Sequence, residues 1–206
     1  MARISFKGQS MTVSGSRFSL RALTLMAGLA TSVAAPVAAQ AVSNSAEFEA
    51  WRRVQKEDID GLRKKLMALA KAVPTGKLAW RPMKGTRSFH HVFAHVAAEG
   101  NTETAMFGGK LPASSLADFD AEEARLGKLP DDQLIAIMDE SLKTLSATLA
   151  ALSLDKMNTS IVYYGRPTLP RIAETYTLND LHEHLGQLVS YARMNQIVPP
   201  WSKKTG

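Results

Sequence analysis

No cysteine occurs in these 206 residues. That excludes disulfides, a cysteine nucleophile and thiolate metal ligands, so stability must come from a packed core and chemistry from His, Asp, Glu, Ser or Tyr. Long apolar runs are missing too. The longest, residues 22–30, falls well short of the ~20 residues that cross a bilayer. Low-complexity tracts are absent, and no basic stripe alternates with aromatics, which argues against a nucleic-acid partner. Acidic residues are lacking from residues 1–41, which hold Arg3, Lys7, Arg17 and Arg21. The formal charge of +6 therefore comes largely from that segment: without it, 21 basic face 19 acidic residues, a charge of +2.

That basic leader, its short apolar run and the small-residue stretch after it have the form of an export signal. Ala39-Gln40-Ala41 fits a small-x-small cleavage site, with Val37-Ala38-Ala39 as competitor, and Met11 is an alternative start to Met1. The expected product is a periplasmic or secreted domain spanning residues 42–206.

The remainder is 3.6-periodic. Asn44 with Glu47 opens a helix whose Ile59, Leu62, Leu66, Leu69 and Val73 recur at three and four, up to Pro74. After an irregular stretch, Ser88 caps a second helix carrying Val92, His95, Val96 and Glu99, which stops near Gly108-Gly109. Residues 111–129 read as a polar connector. Pro130-Asp131-Asp132 starts a third helix with Leu134, Met138, Leu142, Leu145 and Leu149 in register. Residues 159–165 are β-prone, an extended strap or half-hairpin. Thr168 is expected to cap a fourth helix with Pro170 in its first turn and Leu178, Leu181, Leu185, Leu188 and Ala192 inward. Four amphipathic helices in one domain predict an all-α four-helix bundle with a long connection before the last helix.

Asp180 and His184 stand four apart, so carboxylate and imidazole share one helical face. With His95 on the second helix they make two imidazoles and one carboxylate, enough for a transition-metal site with one coordination position open. Each has a plainer reading: a hydrogen-bonded core histidine, or an aspartate in a capping box with Thr177. Glu99, one turn after His95, is an acceptor behind a metal-ligating histidine, an acid/base or a surface ion pair. Gln187 and Tyr191 are placed to line the same cavity, and His91, one turn before His95, is a substitute ligand or an exposed residue at the bundle mouth.

Several short motifs in fixed order resemble the DinB-like superfamily of metal-binding four-helix bundles, which includes the YfiT-type metal-dependent hydrolases and thiol-dependent transferases. They are Leu78-Ala79-Trp80-Arg81-Pro82, then Arg87-Ser88-Phe89 leading to His95-Val96-Ala97. His184-Leu185-Gly186-Gln187 with Tyr191-Ala192-Arg193, and the closing Ile197-Val198-Pro199-Pro200-Trp201, complete the set. The resemblance implies a divalent metal, zinc first and nickel or iron as alternatives, on His95, position 180 and His184. Here position 180 is Asp where the family usually has His. From their places on the helices, His91, Glu99, Gln187 and Tyr191 are expected to bind a small-molecule substrate; the resemblance implies pairing into homodimers. The expected activity is metal-dependent hydrolysis or transfer; the competing expectation is a non-catalytic, ligand-binding or stress-associated bundle with a degenerate site. Export argues against transfer from low-molecular-weight thiols, which are largely cytoplasmic.

Overall fold

The computed structural model describes residues 45–202. The expected export signal and the expected helix start at Asn44 lie outside them. Four long helices carry the fold: α1 (Ser45–Ala72), α2 (Phe89–Met106), α4 (Asp131–Ala150) and α6 (Pro170–Met194). Two short helices, α3 (Phe119–Leu126) and α5 (Leu154–Met157), flank α4, and a two-stranded hairpin, β1 (Ile161–Tyr163) and β2 (Arg166–Thr168), precedes α6. No helix among the described residues is long and apolar enough to cross a membrane.

The expected stripes are the buried ones. Ile59, Leu62, Leu66 and Leu69 of α1, Leu134, Met138, Leu142 and Leu145 of α4, and Leu181 and Leu188 of α6 all lie inside the core. α2 differs, because it is buried nearly all round, including Glu99, Asn101, Thr102, Glu103 and Thr104. A helix enclosed on every side is the central one, and its polar residues must find partners within the bundle. Its most extensive neighbour is α4. There Gly100 lets the backbones approach, since a Cβ at that position would sit 2.8 Å from the Ser141 hydroxyl oxygen.

The entry to α2 is fixed from both ends. Ser88 accepts the His91 backbone N–H as N-cap. The preceding motif returns two further bonds, Phe89 N–H to the Trp80 carbonyl and His90 N–H to the Leu78 carbonyl. Trp80 and Phe89 then pack on Tyr191 of α6, 5.5 Å from its ring in both cases.

Two local expectations are corrected. The connector at 111–129 contains α3, capped by Asp118, whose carboxylate accepts the Ala121 N–H. Thr168 does not cap α6: it pairs with Ile161 across the hairpin, and the helix begins at Pro170 with Leu169 at the cap position and no side-chain cap. The hairpin turn is Tyr164-Gly165, with φ of 45° and 75°. Both central residues at positive φ define a type I′ turn, which favours Asn-Gly. A bulky tyrosine at such a position costs on the order of 1–3 kcal/mol.

Candidate metal centre

His95 and Glu99 are four apart on α2 and share one face of it; His184 meets them from α6. His95 Nε2 lies 3.2 Å from Glu99 Oε1, and His184 Nε2 lies 3.3 Å from the same oxygen. The two imidazole rings are 4.6 Å apart, nearly edge to face. One ligand-type atom from each of the three residues falls within 4.8 Å of the others. All three side chains are sheltered, with exposures of 12, 4 and 9%. Asp180 stands at the rim: its Oδ1 is 3.6 Å from His184 Nε2, and half its side chain is exposed.

The opposite ring nitrogens are held from outside. His95 Nδ1 faces Glu123 Oε1 of α3 at 3.1 Å, and Glu123 is itself tied to Arg87 at 3.0 Å. His184 Nδ1 faces Gln187 Oε1 at 3.3 Å; Gln187 donates to the Tyr191 hydroxyl, which donates to the Arg87 carbonyl. An acceptor at Nδ1 places the proton there and turns the Nε2 lone pair inward. Both Nε2 atoms then converge on Glu99.

Such a convergence leaves polar atoms that protein alone does not satisfy. Glu99 Oε2 and His184 Nε2 are buried without hydrogen-bond geometry to any partner among the described residues. Burial would raise the Glu99 pKa, but the adjoining imidazoles of His184 and His95 outweigh it and hold it at about 2. His184 is correspondingly raised: desolvation pulls it down, and Glu99 overcomes that. Asp180 is pushed up to about 6, by burial first, then by hydrogen bonding to Glu99 and by the Glu99 charge. Two imidazoles with fixed outer partners, a charged carboxylate and an unsatisfied buried oxygen match the donor set of a divalent transition metal.

One turn further along α2, Glu103 accepts the Tyr163 hydroxyl at 2.6 Å, and Thr177 lies 3.2 Å beyond it. Burial, with Glu99 and Asp180 nearby, drives the Glu103 pKa up to about 8.

The DinB superfamily profile matches residues 58–188, most of the described chain. The chain belongs to the DinB superfamily. Among solved structures, this DinB-superfamily chain is similar in fold to a DinB-like protein from Bacillus cereus ATCC 10987. The TM-score is 0.56 at 13% identity, covering 68% of this chain and 89% of that one. No curated protein matches it.

Against the sequence expectations, the structure brings His95 and His184 together and adds Glu99 between them, with Asp180 beside rather than among the buried donors. Gln187 and Tyr191 act behind His184 as its hydrogen-bonded support. His91 is exposed, its Nδ1 2.9 Å from Ser88 Oγ, and contributes no atom to the group. Glu123, Glu103 and Tyr163 are the residues that sequence reasoning missed. Asp118 as a cap, with Glu122 and Glu123 behind it, is the signal that places an acidic helix within the connector.

Proposed function

We propose that this DinB-superfamily protein holds a divalent cation, zinc first, between His95, Glu99 and His184, and uses it in hydrolysis or group transfer on a small molecule. The observation that carries the reading is the orientation of both imidazoles: Glu123 and Gln187 engage the Nδ1 atoms, and both Nε2 atoms turn to one buried carboxylate. A bound divalent ion supplies Lewis acidity to a substrate oxygen or water. Glu99 balances its charge. Asp180, half exposed beside His184, is the carboxylate at the mouth placed to exchange a proton with a substrate or water. The histidine usual in the family at position 180 is replaced by Asp, and Glu99 supplies the missing donor from α2.

Elemental analysis of the mature protein, purified without a polyhistidine tag, tests the reading. One equivalent of metal, lost in His184→Ala, is expected; metal-free protein that takes up none on dialysis against zinc rejects it.

A second reading rests on the pairing of Glu99 with His184, which already compensates the buried charge. In that case the cluster is structural and the bundle binds ligands without catalysis, and metal content separates the two. We propose further that the protein is exported, with cleavage near Ala41. Mass spectrometry of the native protein gives the mature N-terminus, and an intact leader on cytoplasmic protein refutes export.

A further inference from the structure

A cleft of about 700 Å³ lies between the hairpin and the first turns of α6, within the range of small-molecule sites. Its walls are unusually aromatic: Tyr163, Tyr164 and Tyr176, together with Ile172. Tyr164, Ile172 and Tyr176 expose substantial apolar surface there, and Tyr163 and Tyr176 present nearly parallel rings, 19° apart in plane. One cation enters this lining, Arg166, whose guanidinium makes no hydrogen bond or ion pair among the described residues. An unpaired guanidinium beside flat apolar walls is a receptor for a planar anion, and its fork matches a carboxylate.

Two observations tie the cleft to the His–Glu–His group. The Tyr164 ring lies 6.3 Å from Phe119, and Phe119 lies 5.1 Å from His95, both edge to face, so a chain of rings joins cleft to centre. On the other wall, the Tyr163 hydroxyl reaches Glu103, one turn below Glu99. Tyr164 itself occupies the left-handed position of the turn, where Asn or Gly would fit without strain. Strain retained at one residue directs attention to what its side chain does, and this side chain lines the cleft and packs on Phe119, the ring next to His95.

We propose that this cleft binds a planar aromatic carboxylate, its ring against Tyr164 and Tyr176 and its carboxylate on Arg166. Calorimetric titration of the full chain with 2-naphthoate, and with its neutral isostere 2-naphthamide, tests it on zinc-loaded and metal-free protein. Naphthoate should bind both forms, about tenfold more tightly than the amide. Arg166→Gln should erase that preference, and Tyr176→Ala should weaken both compounds. Tyr164→Asn, which suits the left-handed turn, keeps the hairpin folded and should also weaken both. Equal affinity for acid and amide, or unchanged naphthoate affinity in Arg166→Gln, overturns the proposal; the latter places the carboxylate elsewhere, such as on the metal. Zinc uptake without naphthoate binding overturns the cleft alone. Naphthoate binding without zinc uptake supports the cleft and overturns only the metal reading.

Discussion

Glu103 is a carboxyl group whose ionisation the fold opposes. Its residue is 2% exposed, one oxygen accepts the Tyr163 hydroxyl, and the other has no partner among the described residues. Its pKa rises from an ordinary 4.5 to about 8, chiefly through burial. A raised folded value means that the stability linked to this proton is complete below 4.5 and is lost as pH climbs through 8. At pH 7 the folded chain keeps a proton that the unfolded chain has released. At about 1.4 kcal/mol per pH unit above 4.5, that costs about 3 kcal/mol. Glu103→Gln keeps the shape and the acceptor for Tyr163 but cannot titrate, while its extra amide N–H, left unpaired, costs roughly 1–2 kcal/mol. The variant should therefore be about 1–2 kcal/mol more stable than wild type at pH 7 and less stable at pH 5, with the curves crossing between. Urea unfolding at pH 5, 6, 7 and 8 measures this. Glu174, also buried and raised to about 8, adds the same slope to both proteins and cancels in the difference. Parallel stability curves for the two proteins would refute a proton held at Glu103.

Zinc at about 100 times its dissociation constant should stabilise the wild type by about 2.7 kcal/mol, raising Tm by roughly 5–11 °C. A chelator should reverse the shift, and thermal scans of His184→Ala should respond to neither. Because Glu99 raises the His184 pKa, zinc affinity measured by competition should fall as pH drops through the histidine range. Glu123→Gln should weaken zinc about 10–100-fold without altering stoichiometry, since it reaches His95 through the far nitrogen and supplies no atom to the group itself. Glu99→Gln should weaken it more than Asp180→Asn; the reverse order would make Asp180 the carboxylate ligand. Gly100→Ala should cost about 1–3 kcal/mol in urea unfolding, because its Cβ would meet Ser141 at 2.8 Å.

The long helices were legible because their apolar residues recur at three and four and their starts carry Ser88 or Pro130 signals. α3 was not, since eight residues give too few turns to show a stripe. Thr168 misled because a threonine before Pro170 has the form of a cap, whereas strand pairing with Ile161 claims it. At the site, the spacing of Asp180 and His184 and the family resemblance pointed to position 180. The equally good spacing of His95 and Glu99 stood in the sequence as well. What periodicity does not reveal is that α2 is enclosed on every side, and enclosure is what sets Glu99 among the buried donors and leaves Asp180 at the rim. Glu123 and Gln187 matter through their partners across α2 and along α6, relations that only the packed bundle defines.

The unequal surroundings of α2 also bear on how the molecule comes apart. Toward α4 it packs backbone to side chain at Gly100 and Ser141; toward α6 and the hairpin it presents His95, Glu99 and Glu103, whose cohesion depends on protons or a cation. We expect local opening to follow the seam whose polar contacts need a proton or a cation, although Leu181 and Leu188 of α6 also hold it. The measurement is native-state hydrogen exchange: amide hydrogens of residues 161–194 are expected to exchange ahead of those of α2 and α4, and equal protection would refute this. One such excursion uncovers the aromatic cleft and the His–Glu–His group together, giving a ligand a way in that leaves the rest of the bundle folded.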